Sequence, residues 1–247
     1  MARGRAADYE QQRLSIRQAA ARLFAERGYP ATSMADLARS CRVSKALVYH
    51  YYRDKEQLLF DVADAYLDRL QAIVAQAEAG KLAPAPRLRA LIGSFMREYE
   101  HAGAQHRVLV QDVKYLSASH RSHVQARQRE VVDGFAAAIG AIVPRASSAP
   151  HLKPLTMVLL GMMNWTFTWL REDGPLSYDD VARLVADLFL GGVGAAAAGG
   201  RRPAPARVAG RHPSRVTHAM IRASRRSADG PLPASATQTN HRRRGRQ

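Results

Sequence analysis

GYPATSMADLARSCRVSKALVYHYYRDKEQLL, residues 28–59, has the clearest structural pattern in the chain. It contains two short segments with apolar residues at helical spacing, and each segment follows a hydroxyl residue that can cap a helix. Thr32 or Ser33 precedes the first segment, and Ser44 precedes the second. Two short helices joined by a three-residue connection form a helix-turn-helix, which the sequence predicts at about residues 33–52.

Helical periodicity continues on both sides of this motif. A first helix is predicted over residues 9–27, and Asp54 has capping-box spacing to Gln57 at the start of a long helix that ends near Gly80. A last helix is predicted from Ser177 to just before Gly191. Between them, further amphipathic segments cover residues 86–100, 105–116, 120–143 and 152–171. No segment has the alternation of a strand, so the predicted fold class is all-α, with about nine helices.

These helices and the charge distribution predict three regions. The first is a helix-turn-helix domain over residues 9–69, and the second is a helical domain over residues 70–194. Residues 195–247 are predicted to be a disordered, arginine-rich tail. The net charge of +16 divides into +6 over residues 1–55, −1 over residues 56–198 and +11 over residues 199–247. The tail has three interpretations: a solvated segment, a nonspecific nucleic-acid contact, or the product of a shifted reading frame.

Composition excludes several classes of protein. A single cysteine, Cys41, excludes an intramolecular disulfide, and the first thirty residues lack the apolar core of a signal peptide. The most apolar run, residues 155–170, is too short to span a bilayer. We therefore expect a cytoplasmic protein that does not contact a membrane.

No sequence motif indicates an enzyme. Phosphate-binding glycine loops, nucleophile elbows and zinc-binding histidine motifs are all missing, and His120 and His123 have no neighbouring carboxylate or cysteine that would favour a metal site. We expect no catalytic residue, no cofactor and no metal.

Residues 28–38 and 43–59, in this order and spacing, strongly resemble the TetR family of repressors. The resemblance implies operator DNA as a partner and a C-terminal domain that dimerises and binds an effector. Arg42 departs from the family, which usually has a glycine in this turn. Because a left-handed backbone strains arginine, the turn is expected to differ slightly.

The DNA-contacting residues follow from the chemistry of a recognition helix. Such a helix presents short or flexible side chains at its start and phosphate-binding groups on its flanks. By analogy with the family, Thr32, Tyr49 and Lys55 are expected to contact phosphates, and Lys45 to reach a guanine edge. Val48 is expected to be core. The complete predicted set is Thr32, Ser33, Ser44, Lys45, Ala46, Leu47, Tyr49, His50, Tyr51 and Lys55.

The expected homodimer rests on the last two helices. In the family these helices form a four-helix bundle across a twofold axis. Residues 152–171 and 177–190 occupy that position here, and Gly161 and Ala182 would permit close approach. An ordinary intramolecular core is the alternative interpretation of the same apolar faces.

The run from Gly161 to Ser177 resembles the branch of the family that senses acyl-CoA or aryl-CoA thioesters. An effector such as phenylacetyl-CoA or a medium-chain acyl-CoA is therefore expected to release the protein from a catabolic operon. Tryptophan and methionine would contact the acyl group, and arginines would contact the phosphates. The predicted ligand-binding residues are Met96, Tyr99, Tyr115, Arg121, Arg127, Asn164, Trp165, Thr168, Trp169 and Arg171.

Three other interpretations remain open. The tryptophan and methionine positions can be ordinary core. The regulated genes can encode efflux or stress functions, with a hydrophobic compound as effector. A different class is a nonspecific nucleic-acid-binding protein driven by the basic tail, whose binding would ignore DNA sequence and collapse with salt.

Overall fold

The computed structural model describes residues 2–143, 151–171 and 173–197. In these ranges the chain forms nine α-helices and two 3-10 turns, without a strand, so the predicted all-α fold class is confirmed. None of the described helices is both long and apolar enough to cross a bilayer. The helices are α1 (Ala2–Arg27), α2 (Met34–Cys41), α3 (Lys45–Tyr51), α4 (Lys55–Ala79), α5 (Pro84–His101), α6 (Gly103–Gln111), α7 (Ala118–Ile142), α8 (Leu152–Asn164) and α9 (Tyr178–Ala197); the turns are Val113–Tyr115 and Trp165–Thr168.

α2 and α3 form the predicted helix-turn-helix. Ser33 is the residue that caps α2: its hydroxyl accepts from the Asp36 N–H at 3.2 Å, and the Asp36 carboxylate accepts from the Ser33 N–H at 2.9 Å. Ser44 caps α3 by accepting from the Leu47 N–H at 3.1 Å. The caps fix the residue at which each short helix begins.

The turn between α2 and α3 contains a left-handed residue. Arg42 has φ 56° and ψ 41°, and its N–H donates to the Arg39 carbonyl at 3.1 Å. The next N–H, of Val43, donates to the Ala38 carbonyl at 3.0 Å. The turn therefore keeps the geometry that glycine favours, and the expectation of a different turn is wrong. The steric strain is carried by Arg42 itself.

α4 crosses the predicted domain boundary at residues 69 and 70 without a break. Asp54 begins the helix by accepting from the Gln57 N–H at 2.7 Å, while the Gln57 side chain accepts from the Arg53 N–H at 2.8 Å. One face of α4 is buried along its whole length, at Leu58, Leu59, Val62, Ala63, Tyr66, Leu67, Leu70 and Val74. The helix therefore belongs to the core of both regions.

α5, α6 and α7 contact α4 directly, while α8 and α9 pack on α7 and α5. α5 contacts α4, α7 and α9, and α8 contacts α7 and α9. Phe95 and Phe135 meet edge to face in this core, with ring centres 4.8 Å apart. A Cβ at Gly134 of α7 would lie 2.3 Å from the Val74 side chain of α4. The close approach of α4 and α7 therefore requires glycine at position 134.

Three helices end at a residue other than the one predicted, and α1 begins at Ala2 rather than at residue 9. The predicted helix 152–171 ends at Asn164 and continues as a 3-10 turn, in which the Thr166 and Thr168 hydroxyls each donate to the carbonyl three residues earlier at 2.7 Å. These local bonds compete with the helical pattern. The predicted helix 105–116 likewise ends at Gln111.

The third difference is at the end of α9. This helix passes the predicted stop at Gly191 and ends at Ala197, because the alanines that follow the glycines favour helix. Residues 195–197 are therefore helical and do not belong to the predicted tail. The rest of that tail, residues 198–247, lies outside the described residues.

Candidate nucleic-acid interface and inner cavity

The outer face of α3 carries polar and aromatic side chains in solvent. Val48 is fully buried, as predicted, and Leu47 is half-buried. The Lys45 ammonium lies 5.7 Å from the centre of the Tyr49 ring, a cation–π distance. The exposed residues of this face are Ser44, Lys45, Ala46, Tyr49 and His50. Ser33, at the start of α2, is also exposed.

The end of α3 packs against α1. Tyr9 of α1 lies with its ring centre 4.6 Å from that of Tyr51 and 6.2 Å from that of His50. Tyr51 is half-buried by these contacts. The aromatic cluster therefore fixes the direction of α3 relative to α1, and Tyr51 has a packing role in addition to any contact with DNA.

Two predicted phosphate contacts, Thr32 and Lys55, are directed inward. Thr32 is buried, and its hydroxyl donates to the Gly28 carbonyl at 3.0 Å. The Lys55 ammonium donates to the Tyr29 and Thr32 carbonyls, each at 2.8 Å, and to the Pro30 carbonyl at 3.4 Å. These three bonds use all of its N–H donors, and burial lowers the pKa of Lys55. The two side chains tie α4 to the loop before α2. The prediction that these side chains contact phosphates is therefore wrong.

Asp61 joins α1, α3 and α4, a role that the sequence analysis missed. Its carboxylate accepts from the Tyr52 hydroxyl at 2.6 Å and from the Arg13 guanidinium at 2.8 Å, with Arg17 at 3.6 Å. Burial, followed by the bond to Asp61, raises the pKa of Tyr52. No local pattern could have identified this group, because its members are separated by up to 48 residues of chain.

An apolar cavity of about 100 Å³ lies between α4, α5, α6, α7 and α8. Tyr99 and Asn164, both predicted ligand contacts, line it, and the Tyr99 hydroxyl donates to the Asn164 side-chain oxygen at 2.6 Å. His106, which was not predicted, also lines it. The apolar lining is Leu67, Leu70, Phe95, Leu109, Val110, Val131, Val132 and Leu160, and Gln128 completes it.

The two tryptophans that were predicted to contact the acyl group do not line this cavity. Trp165 and Trp169 are 64% and 50% exposed, because the 3-10 turn redirects the chain after Asn164. Thr168, in the same turn, bonds to the Trp165 carbonyl. Met96 is fully buried but does not line the cavity. These four predicted ligand contacts are therefore wrong for a ligand held in the inner cavity.

The other predicted ligand residues are engaged elsewhere. Tyr115 stacks on Tyr29 with ring centres 5.3 Å apart, and Arg121 donates to the Lys114 and Leu116 carbonyls. Arg127 pairs with Asp64 at 2.6 Å and with Asp68 at 2.5 Å, and exposed Arg171 lies 3.5 Å from Asp173. The structure does not bring these four residues to the cavity.

A second, open cleft of about 630 Å³ lies between α1, α4, α5, α6 and the 3-10 turn after α8. Its cationic lining residues are Arg22, Arg69 and Arg107, and His101, Glu26 and Glu100 also line it. Arg107 donates to the Ala25 carbonyl at 3.3 Å, which links α6 to α1. The cleft could not be predicted from the sequence, because its residues come from six separate elements, including Tyr178 of α9.

α8 and α9 leave large apolar side chains in solvent. Val158 and Met157 of α8 are 58% and 52% exposed, and Leu188 and Leu184 of α9 are 62% and 52% exposed. A groove of about 240 Å³ runs between the two helices. Contiguous exposed apolar side chains of this size are typical of an interaction surface.

Comparisons with known proteins identify both regions. Residues 16–62 match the family model described as bacterial regulatory proteins, tetR family, and residues 81–193 match the tetracyclin repressor-like C-terminal domain. The chain is 28% identical to the HTH-type transcriptional repressor KstR2 of Mycolicibacterium smegmatis over 179 residues, which are 71% of this chain and 87% of the relative.

Solved structures give the same result. A TetR-family regulator from Bordetella parapertussis is similar with a TM-score of 0.69 and 33% identity, covering 72% of this chain and 93% of that one. The regulator AibR, solved in complex with isovaleryl coenzyme A and operator DNA, is similar with a TM-score of 0.65 and 26% identity, covering 72% and 97%. The chain therefore belongs to the TetR family and is a transcriptional repressor of the TetR type, with an N-terminal helix-turn-helix and a helical C-terminal domain.

Proposed function

We propose that the chain is a cytoplasmic, homodimeric repressor of a catabolic operon that a short-chain acyl-CoA thioester releases from its DNA. In this proposal residues 9–69 bind double-stranded operator DNA, and the C-terminal domain dimerises and binds the effector. The observation that carries it is the combination of a solvent-facing recognition helix, α3, with an apolar cavity of about 100 Å³ in the same chain.

The exposed start of α3 supports DNA reading. Ser44, Lys45 and Ala46 would approach base edges, with Lys45 donating to a guanine, because the start of a recognition helix enters the major groove. Tyr49, His50 and Ser33 would contact phosphates on either side. Thr32 and Lys55 would act indirectly by fixing the loop before α2.

The exposed apolar face of α8 and α9 supports a dimer. One α3 reads only a few base pairs, so two copies on adjacent half-sites give the discrimination that an operator needs. Leu184 and Leu188, each more than half exposed, would be covered by a second copy of the chain.

The inner cavity and the outer cleft support a thioester with a small acyl group. A cavity of about 100 Å³ is smaller than the roughly 150 Å³ that accommodates benzene, so it suits butyryl or isovaleryl, of about five or six non-hydrogen atoms, better than phenylacetyl, of about nine. Arg22, Arg69 and Arg107 of the outer cleft would contact the phosphates of CoA, in place of the predicted Arg121, Arg127 and Arg171. The complex of the relative AibR with isovaleryl coenzyme A favours the same ligand class.

A titration of the preformed protein–DNA complex tests this function. The duplex is selected from random sequence by the full-length protein, and isovaleryl-CoA, butyryl-CoA, phenylacetyl-CoA, CoA and free isovalerate are added separately. We expect the two short thioesters to release the DNA and CoA and free isovalerate to leave it bound. No release by any thioester up to about 100 μM, where a Kd of 1 μM would give near saturation, contradicts the proposal.

Two charge variants sharpen the titration. Arg22→Gln removes a cation of the outer cleft and should weaken release by CoA thioesters about tenfold, the value of one charge-assisted contact. Arg89→Gln removes an arginine that pairs with exposed Asp187 outside the cleft, and serves as the matched control.

The same experiment separates the alternatives. A regulator of efflux or stress genes would be released by hydrophobic compounds without CoA, and Arg22→Gln would then have no effect. A nonspecific nucleic-acid-binding protein would bind the selected duplex and a scrambled duplex with equal affinity, and both affinities would collapse with salt.

A further inference from the structure

His106 lines the inner cavity and carries a buried ring nitrogen without a hydrogen-bond partner in the described ranges. The residue lies on α6 and is only 3% exposed. Its Nε2 lies 3.4 Å from the Asn164 backbone carbonyl, and within the described part of the chain its Nδ1 is buried without a hydrogen-bond partner. A carbonyl can only accept, so Nε2 carries the proton and Nδ1 is left as an acceptor.

The neighbours of His106 do not complete its hydrogen bonding. Tyr99 stacks on the imidazole with ring centres 3.9 Å apart, but its hydroxyl is bonded to Asn164. Tyr66 and Phe167 approach edge-on, with ring centres 6.2 and 5.8 Å away. Burial lowers the pKa of His106 to about 4, so the ring is neutral at pH 7 and keeps its lone pair on Nδ1.

A buried acceptor without a donor is destabilising, and proteins retain few of them. Here the acceptor belongs to a residue that lines a largely apolar cavity, whose edge reaches solvent at exposed Val110 and half-buried Gln128. Cavities lined by leucine, valine and phenylalanine hold apolar ligands rather than clusters of water. The complementary ligand is therefore an apolar group that carries one donor.

We infer that the effector's acyl group carries a hydroxyl, which donates a hydrogen bond to His106 Nδ1, within an acyl group of about four carbons. The inference rests on the proposed function, since it describes the ligand of the same effector domain. Through this hydrogen bond, His106 would make the protein prefer hydroxyacyl groups to plain acyl groups. A group without a donor would enter the cavity but would leave Nδ1 unpaired, and selectivity of this kind comes from buried polar groups that must be satisfied.

The test is a matched ligand pair measured by calorimetry on the full-length protein. 3-Hydroxybutyryl-CoA and butyryl-CoA differ by one hydroxyl, and we expect the first to bind about tenfold more tightly, the effect of one net hydrogen bond. In His106→Leu the preference should vanish. In His106→Asn, whose amide oxygen can replace Nδ1 as acceptor, part of it should return, and thermal melting of each variant checks folding.

The outcomes separate this inference from the proposed function. The same two acyl groups are also tested as N-acetylcysteamine thioesters, which lack the phosphates of CoA. A hydroxyl preference in these thioesters without any release of DNA would support the inference and overturn the proposed function. Release of DNA by both CoA thioesters with equal affinity would overturn the inference alone. A preference that survives in His106→Leu, a preference for butyryl, or binding of neither pair would also overturn it.

Discussion

The N-terminal helices and the C-terminal domain treat their buried polar groups in opposite ways. Around α3, Thr32, Lys55 and Asp61 each have hydrogen-bond partners, and together they tie α1, α3 and α4 into one unit. In the C-terminal domain, His106 Nδ1 is buried without a partner among the described residues, and Leu188 is exposed to solvent. In the first region these polar groups are hydrogen-bonded within the region itself. In the second region a ligand could bond to His106, and another copy of the chain could cover Leu188.

The largest effect should follow from charging the apolar face of α9. Leu188→Glu places a carboxylate where the proposed partner packs, so the protein should become monomeric and lose operator affinity about a thousandfold, the avidity of two linked half-sites. Sedimentation and DNA binding measure both effects. Leu82→Glu, at another exposed leucine before α5, is the control and should change neither. A dimeric Leu188→Glu protein with unchanged operator affinity would place the interface elsewhere.

Asp61→Ala should break the paired network of the N-terminal region. Loss of the carboxylate leaves the Tyr52 hydroxyl and Arg13 without their partner, and the free energy of unfolding should fall by about 3 kcal/mol. Urea denaturation measures the change. Asp187→Ala removes an ion pair whose side chains are 46% and 65% exposed, and should cost less than about 1 kcal/mol. Equal losses in the two variants would mean that the Asp61 network does not hold the region together.

The buried His106 should make the stability of the protein depend on pH. The pKa of His106 is lowered to about 4, below the ordinary value near 6.5, so the unfolded chain takes up the proton first as pH falls. The stability contributed by neutral His106 is complete above pH 6.5 and is lost toward pH 4. When the pH falls from 7 to 4.5, the free energy of unfolding should decrease by about 2 kcal/mol more in the natural protein than in the His106→Leu variant. His101→Leu, at an exposed position, is the control, and an identical pH dependence in all three proteins would exclude a buried neutral His106.

Lys55 and Lys45 should separate a structural lysine from a DNA-contacting one. Lys55→Met removes three bonds to carbonyls and should lower the free energy of unfolding by about 1.5 kcal/mol, without changing the salt dependence of DNA binding. Lys45→Ala should leave stability within about 0.5 kcal/mol and weaken specific binding more than nonspecific binding. Melting curves and salt titrations measure the two effects. A reduced salt slope in Lys55→Met would restore Lys55 as a phosphate contact.

The smallest effect concerns the turn of the helix-turn-helix. Arg42→Gly relieves the left-handed strain of Arg42 but adds freedom to the unfolded chain, so the net gain should be about 0.5 kcal/mol. Thermal melting measures the gain. Arg39→Gly, within α2, should instead destabilise the protein by about 1 kcal/mol. A loss of stability in Arg42→Gly would show that the arginine side chain has a stabilising contact of its own.

The accuracy of the sequence-based predictions depended on how local the determining contacts are. The cap Ser44 and the buried position of Val48 follow from neighbours within a few residues and were predicted, while Ser33 was one of two predicted caps for α2, with Thr32 the other. The inward direction of Lys55 depends on carbonyls 23 to 26 residues away, and the cavity position of His106 depends on five different helices. The helical period alone cannot indicate such contacts. Trp165 was misplaced because local threonine bonds end α8 about two turns before residue 171, where the sequence pattern predicted its end.

Because α4 is one continuous helix, a tilt at the cavity would also move its start. Its 25 residues give a rod of about 37 Å, the length that a rise of 1.5 Å per residue predicts. Leu67 and Leu70, near the middle of this rod, line the cavity, while Lys55 and Asp61, nearer its start, hold the N-terminal helices. The start of the rod lies about 20 Å from these leucines, so a tilt of about 5° about the cavity would displace it by about 2 Å. In the proposed dimer, such a shift would disturb two recognition helices spaced for successive major grooves about 34 Å apart. In the proposed function, a small ligand would therefore need to move α4 only slightly to release the protein from its operator.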